Sequence, residues 1–335
     1  MRGPVLSSYS HSCWSLSVHP PVTDSTSSSN AKTTGKLFLL TRHANSNSIN
    51  SHCSPSDISQ PLTGQLPLHL RLFLWDCPSE CDYTCQRQVT NDLRQQNLPL
   101  HQFHGKWPFL RLWGIQEPCS VLFSILNFHG HYRGIQLVSH RVPDTYALKP
   151  YYILLGIFGM NAWVWSSIFH VRDFLLTERA DYFSAGASVM YGLFYTPLRL
   201  FNIHQRDSKT VQPYIYVWGG ICAFAFLAHV YYLSFITFSY SYNMAANVVI
   251  GMLQNLMWIY YSVTRSKSNR GLWVWTPVFV VVYVIFAMSL EIFDFFPLAD
   301  ALDAHSLWHA ATVPVVYPST AFLVDSRLIY STTFY

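Results

Sequence analysis

The residues best suited to chemistry are two pairs, Ser166 with His170 and His305 with His309, each within a segment typical of a membrane span. Residues four apart lie on one face of an α-helix, one turn from each other. His305 and His309 can therefore direct two imidazoles at a single point. Ionisable groups at membrane depth are energetically costly and are usually functional. Three histidines, an aspartate and a serine around one cavity would suit a zinc hydrolase that acts on lipid.

The histidines match a common catalytic zinc site. Such zinc is often held by three histidine nitrogens, which leaves a fourth position for water. His170, His305 and His309 supply that number, and we expect them to bind Zn²⁺. The metal would acidify its water and polarise a carbonyl group. Asp181 is the group expected to orient this water or to accept its proton.

Two further residues are assigned supporting roles. Ser166, one turn before His170, is placed to donate a hydrogen bond to the oxyanion that forms when an ester is attacked. Asp303, two residues before His305, is the candidate for fixing the tautomer of a metal ligand.

Each of these residues also has a purely structural explanation. A His-x3-His pair arises easily by chance, and a serine in a membrane helix often bonds a carbonyl of the preceding turn. Asp181 and Asp303 would each be a favourable N-cap at the start of a helix. Ser167 is the alternative to Ser166, but it lies only three residues before His170. The occurrence of all these residues at one depth of the membrane favours the metal site.

The composition indicates a membrane protein. Half of the 335 residues are hydrophobic and only 11% are charged, against about 25% in soluble domains. The aromatic share of 16% is high as well. The net charge of +4 is scattered, with no dense basic patch, so nucleic acid is not an expected partner.

Seven apolar segments, each close to the ~20 residues that cross a bilayer core, predict an all-α, seven-span transmembrane bundle. They run over residues 118–137, 151–170, 181–201, 212–232, 241–262, 272–293 and 304–324.

The basic residues of the loops orient this bundle. The loops after spans one, three and five carry nine Lys or Arg residues, whereas those after spans two, four and six carry only Arg172 and Arg179. Because basic loops remain cytosolic, the amino-terminal region is placed in the lumen and the carboxyl end in the cytosol. His170, Asp181 and the His305 pair then all fall at the lumenal end of the bundle. Residues distant in sequence but level in depth can form one site.

The chain divides into four parts. Residues 1–60 are rich in Ser, Thr, His and Asn and are expected to lack fixed structure. Residues 61–117 form a lumenal region that contains cysteines, residues 118–325 form the catalytic bundle, and residues 326–335 form a cytosolic tail.

Three cysteines recur every four residues, at Cys77, Cys81 and Cys85. A zinc knuckle would explain this spacing, but disulfides are favoured on the oxidising, lumenal side. Cys53 is a fourth candidate partner. The sequence leaves the connectivity open.

Several longer motifs resemble the post-GPI-attachment lipid-remodelling (Per1-like) family of the secretory pathway. The resemblance covers roughly residues 64–325. The motifs are Asp76-Cys77-x3-Cys81-x3-Cys85, Gln102 to Phe109, Gln116-Glu117-Pro118, Asn161-Ala162-Trp163 through His170, Arg172-Asp173, Leu176-Thr177-Glu178, Asp181-Tyr182-Phe183 and Leu302-Asp303-Ala304-His305 through His309.

The resemblance implies an enzyme of the endoplasmic reticulum membrane, with the Golgi as the alternative. Such an enzyme removes an acyl chain from the inositol phospholipid of GPI-anchored proteins, so the implied partners are those proteins, their lipid and membrane lipid. The family also resembles a wider seven-span superfamily that includes alkaline ceramidases and adiponectin-receptor-like proteins. The shared pattern is Ser-x3-His, an Asp about eleven residues on, and a final His-x3-His. It implies zinc ligation by the three histidines and a water-directing role for Asp181.

The chain also departs from the family pattern. It shows neither the cleaved signal peptide nor the extra cysteine motifs before Cys77, which makes residues 1–60 candidates for a gene-model error or a divergent isoform. Ser239 replaces an acidic residue, and the tail after Asp325 differs. Two other functions stay open: a ceramide amidase that uses the same site, and a non-enzymatic lipid-binding receptor or folding factor for GPI-anchored proteins.

Overall fold

The computed structural model describes residues 66–201, 208–267, 271–292 and 294–332. Within these ranges the regular structure is helical, and the few β-bridges are isolated pairs in loops, which confirms the all-α prediction. Residues 1–60, including Cys53, lie outside the described residues. The described chain forms two compact units.

The described part of the first unit contains two helices, α1 (Leu68–Leu72) and α2 (Cys77–Gln95). It also includes the loops that lead to Glu117 and the segment Phe295–Asp303. These residues fall within the range 118–325 that we predicted for the bundle. Their inclusion here shows that a stretch far along the chain completes the first unit.

Local sequence explains how α2 begins and how it is held. The Asp76 side chain caps the helix by accepting a hydrogen bond from the backbone N–H of Ser79 at 2.9 Å. Trp75 donates its indole N–H to the carbonyl of Gly114 at 2.8 Å. Gly114 has a φ of +95°, and a Cβ there would lie 2.9 Å from the Phe73 ring, so glycine is required on both counts.

Asp300 holds the returning segment to α2. Its carboxylate accepts hydrogen bonds from Arg87 at 2.7 Å and from Arg94, and its backbone carbonyl accepts one from the N–H of Leu110. Burial alone would raise the pKa of Asp300, but the two guanidinium groups lower it below its usual value. The ionised form is therefore the one that stabilises this unit.

Seven long helices lie in the described part of the second unit. They are α3 (Pro118–Arg141), α4 (Lys149–Val171), α5 (Leu175–Leu200), α6 (Ser208–Tyr231), α7 (Tyr240–Ser266), α8 (Thr276–Ile292) and α9 (Ala304–Thr332). A π-helical turn, Tyr232–Ile236, extends α6, and a 3₁₀ turn, Leu272–Trp275, precedes α8.

Six of these helices close into a ring. Going round it, α3 packs on α4, α4 on α5, α5 on α7, α7 on α8, α8 on α9, and α9 on α3. Helix α6 packs on the outside, against α5. Both α4 and α9 pack on α3, so the end of α4 and the start of α9, which carry the three histidines, lie close together.

Four of the helical segments in the described residues are long and apolar enough to cross a membrane. They are Lys149–Val171, Thr210–Ile236, Leu272–Ile292 and Ala304–Asp325. The chain is therefore a multi-pass membrane protein. Each of the seven predicted spans overlaps one of the helices α3 to α9, but α3, α5 and α7 are less apolar than the other four.

We predict that Asp300→Asn loosens the first unit, because the neutral amide cannot pair with the two arginines. Hydrogen bonds to a charged group contribute about 1.5–3 kcal/mol. Hydrogen–deuterium exchange should therefore quicken at the Leu110 amide. The pKa of Asp300 is lowered on folding. Its contribution to the free energy of unfolding is therefore present above the unfolded pKa of about 3.9 and is lost as pH falls through the folded pKa.

The matched control is Asp144→Asn. Asp144 pairs with Lys149 at the surface, where an ion pair contributes little, so exchange at Leu110 should not change. Equal exchange in wild-type and Asp300→Asn protein at pH 7 would contradict the role given to Asp300.

Candidate metal centre

Three imidazoles from two helices meet inside the second unit. The ligand-competent nitrogens of His170, His305 and His309 all lie within 4.8 Å of one another. Nε2 of His170 and Nε2 of His305 are 3.3 Å apart. His170 and His309 are buried, and His305 is half-buried. The structure thus brings together the three histidines that we predicted to be zinc ligands.

Helix geometry places each ring. His170 is the second-last residue of α4, while His305 and His309 occupy successive turns at the start of α9. Their one-turn spacing puts both α9 rings on one face, with centroids 4.5 Å apart. The Trp163 ring packs edge-on against His309 at 5.2 Å and limits its rotation.

Glu291, near the end of α8, fixes the orientation of His305. Its Oε2 lies 2.7 Å from Nδ1 of His305, and its Oε1 accepts a hydrogen bond from the Tyr240 hydroxyl at 2.8 Å. An ionised carboxylate only accepts hydrogen bonds, so Nδ1 of His305 carries the proton. Nε2 of His305 is then left with its lone pair, directed towards His170.

Ser124, on α3, contacts both His309 and Ser166. Its Oγ lies 3.0 Å from Nδ1 of His309 and 3.1 Å from Oγ of Ser166. All three side chains are buried. Ser166 is therefore part of the same polar cluster as the histidines, and it reaches His309 through a residue on a third helix.

The donor set fits a metal ion. Two nitrogens bound about 2.0–2.1 Å from a tetrahedral zinc lie about 3.3 Å apart, which is the separation of the His170 and His305 Nε2 atoms. Two lone pairs facing each other at that distance repel unless a cation or a proton lies between them. A carboxylate on the far nitrogen of a ligating histidine is also the usual arrangement around zinc. Three imidazoles at this spacing are consequently suited to Zn²⁺.

Asp181 and Asp303 were the two acidic residues predicted for this site. Asp181 lies in the second turn of α5 and is half-buried. Asp303 is buried directly before α9 begins. Asp303 was expected to fix the tautomer of a metal ligand. At His305 a different carboxylate, Glu291, accepts the hydrogen bond from Nδ1. The parts proposed for Asp181 and Asp303 stay predictions.

The cysteine run lies on one face of α2, outside this centre. Cys85 is disulfide-bonded, whereas Cys77 and Cys81 are thiols in this structure. Successive turns of one helix point the sulfurs the same way, so a disulfide within the run is not favoured. Cys53 lies outside the described residues, and the disulfide candidates Cys53, Cys77 and Cys81 stay predictions.

Sequence reasoning missed Glu291 and Ser124. Glu291 lies at the end of the most apolar span, where an acid is costly, and this was a usable signal of function. Ser124 carried no such signal, because serine is common in membrane helices.

Sequence comparison identifies relatives of this chain. Residues 67–326 match the Per1-like family. The chain is 46% identical over 274 residues to the Protein PER1 homolog of Schizosaccharomyces pombe, covering 82% of this chain and 80% of that protein. It is 35% identical over 265 residues to the GPI-specific phospholipase A2-like PGAP3 of Danio rerio, covering 78% and 80%. It is 35% identical over 281 residues to Protein PER1 of Saccharomyces cerevisiae, covering 74% and 76%. No solved structure is significantly similar.

We predict that Glu291→Gln weakens metal binding by about 10- to 100-fold, the usual effect of removing such a supporting carboxylate. The amide can present its N–H₂ to Nδ1 of His305 and so favour the wrong tautomer. Zinc affinity of the purified protein, measured against a competing chelator, tests this.

Tyr240→Phe, which removes only the hydrogen bond to the far oxygen of Glu291, should have a smaller effect in the same titration. Asp325→Asn, about 30 Å along α9 from His305 at 1.5 Å per residue, is the acidic control and should bind zinc as the wild type does. Undiminished zinc affinity in Glu291→Gln would refute the tautomer argument.

Proposed function

The chain belongs to the Per1-like family, and on that premise we propose that it removes an acyl chain from the inositol phospholipid of GPI-anchored proteins by zinc-dependent ester hydrolysis. Relatives carry the names GPI-specific phospholipase A2-like PGAP3 and Post-GPI attachment to proteins factor 3. The observation that carries the chemical part of the proposal is the convergence of His170, His305 and His309.

The site residues have different proposed roles in hydrolysis. His170, His305 and His309 would hold the zinc through nitrogen atoms. When bound, the ion supplies the Lewis acidity that acidifies a water molecule and polarises the ester carbonyl. Glu291 keeps His305 in the ligating tautomer.

Asp181 is the proposed proton carrier. The water oxygen forms a bond to the carbonyl carbon, and a carboxylate oxygen of Asp181 accepts the proton that this water loses. The ester C–O bond then breaks, and the proton passes to the departing alkoxide of the lipid. The products are a free fatty acid and a lysolipid, so atoms and charge balance. Ser166, buried next to the cluster, is placed to steady the developing oxyanion with its hydroxyl.

A cavity inside the helix ring supports an acyl chain as part of the substrate. It has a volume of about 350 Å³ and is lined mainly by apolar side chains from all six ring helices. On α9 its lining begins at Val315, six residues or about 9 Å beyond His309. On α8 its lining ends at Val284, seven residues or about 10 Å before Glu291. Both helices place the cavity on the same side of the histidines, deeper in the bundle.

The proposed orientation puts the centre at the lumenal end of seven spans. The excess of basic residues in alternate loops supports it. The disulfide at Cys85 supports a lumenal first unit, because disulfides persist in the oxidising secretory pathway. The proposed location is the endoplasmic reticulum membrane, with the Golgi as the alternative.

We predict that His305→Ala and His309→Ala each abolish fatty-acid release while the protein remains in the membrane, because each removes one of three metal ligands. The test incubates purified full-length protein with a GPI lipid of defined acyl chains and measures zinc content and released fatty acid together. Asp325→Asn serves as the control and should retain both.

The alternatives give distinct outcomes in this assay. Release of fatty acid from ceramide, but not from the GPI lipid, would indicate an amidase. Zinc-loaded protein that binds the GPI lipid and never releases fatty acid would indicate a receptor or folding factor. Full activity in either histidine variant would refute the zinc mechanism.

The cavity yields a separate prediction. Gly251 lines it, and a Cβ there would meet no atom within 4 Å, so the side chain of Gly251→Leu should occupy part of the cavity. Displacing two or three methylenes, at about 0.8 kcal/mol each, should lower kcat/KM for a stearoyl ester by about 10- to 50-fold. An octanoyl ester, too short to depend on the cavity, should be cleaved at the wild-type rate.

Gly220→Leu is the matched control. Gly220 is exposed on α6, outside the ring, and a Cβ there also meets no atom within 4 Å. Its kinetics should equal those of the wild type for both chain lengths. If Gly251→Leu lowered kcat/KM equally for both esters, or for neither, the cavity would not hold the acyl chain.

A further inference from the structure

Ser124 makes three polar contacts from a position with no solvent exposure. Its Oγ lies 2.7 Å from the Ser120 carbonyl oxygen, 3.1 Å from Ser166 Oγ and 3.0 Å from Nδ1 of His309. A hydroxyl group offers one proton and two lone pairs. The three contacts therefore use the full hydrogen-bonding capacity of this side chain.

The proton positions follow from that capacity. A carbonyl oxygen can only accept, so the one hydroxyl proton of Ser124 is directed to Ser120. The other two contacts must then be ones that Ser124 accepts. Nδ1–H of His309 donates to Ser124, and so does the hydroxyl of Ser166.

This assignment determines which nitrogen of His309 can bind a metal. A neutral imidazole with its proton on Nδ1 has its lone pair on Nε2. Ser124 therefore does for His309 what Glu291 does for His305, with a neutral hydroxyl in place of a carboxylate. Both histidines of the α9 pair are held in the same tautomer by residues on two other helices.

The same assignment bears on Ser166. While its proton is directed at Ser124, Ser166 presents only lone pairs to any other group. It can donate to an oxyanion only after its O–H bond rotates away from Ser124. Ser124 thus holds this proton in place until a stronger acceptor forms.

Helix α3 holds His309 at a second point. Nδ2 of Asn127, one turn after Ser124, donates to the backbone carbonyl of His309 at 2.8 Å. Asn127 has no solvent exposure either. Side chain and backbone of His309 are therefore both held by α3, which fixes the register of α3 against α9 at the level of the site.

We propose that Ser124 is a positioning residue that sets the tautomer of His309 and holds the hydroxyl proton of Ser166. This inference rests on the proposed zinc hydrolase function. A serine that merely satisfied its own helix would behave like Ser167, whose hydroxyl donates to the carbonyl of Trp163 one turn back. Ser124 makes that same bond and, in addition, contacts side chains on two other helices.

The test compares Ser124→Ala, Ser124→Thr and the matched control Ser167→Ala as purified full-length proteins. Ser124→Ala should weaken zinc binding by about 10- to 100-fold, because the His309 tautomer is no longer fixed. Its Co²⁺-substituted form should show an altered visible absorption spectrum. Ser124→Thr keeps the hydroxyl and should restore both properties, and Ser167→Ala should match the wild type.

Further measurements distinguish a failure of this inference from misfolding of a variant and from a failure of the proposed function. Gel filtration and thermal unfolding of the zinc-free proteins show whether a variant is folded. A folded Ser124→Ala with wild-type zinc affinity and Co²⁺ spectrum would overturn the positioning role, as would a folded Ser124→Thr as weak as the alanine variant. If the wild type itself bound no zinc and released no fatty acid, the proposed function would fail instead.

Discussion

The candidate metal centre depends on the close approach of two imidazole nitrogens, Nε2 of His170 and Nε2 of His305, which are 3.3 Å apart. One ring comes from the end of α4 and the other from the start of α9. Two nitrogen lone pairs at this distance repel unless a cation or a proton lies between them. Glu291 keeps the proton of His305 on the opposite side of the ring, so the lone pair on Nε2 faces His170. A bound Zn²⁺ would therefore join the two helices as well as supply chemistry.

Around this contact, polar groups are satisfied inside a largely apolar bundle. Helices in a bilayer gain little from burying apolar surface against each other, so packing and interhelical hydrogen bonds hold them together. Ser124, Asn127 and Glu291 supply such bonds from α3 and α8 to α9. Each also restrains a metal-competent histidine. The bonds that stabilise the ring are thus the same bonds that prepare the site.

The first unit uses a different kind of interaction. Its charged pairs, such as Arg87 with Asp300, and its small apolar core are those of a protein surrounded by water. The disulfide at Cys85 is typical of a secreted environment. No single property of the sequence describes both units, because ion pairs around a small apolar core hold one and helix packing holds the other.

The sequence by itself determined the all-α fold, the long helices and the shared face of His305 and His309. Helix periodicity places His305 beside His309 whatever the rest of the chain does, and long apolar segments leave few other structures in a bilayer. Only the tertiary structure decided which groups support these histidines. Glu291 and Ser124 are 14 and 185 residues from the rings that they contact, and nothing in their local sequence indicates the pairing. Spacing along one helix fixes a face, but contacts between helices depend on how the ring closes, which is a property of the whole packed bundle.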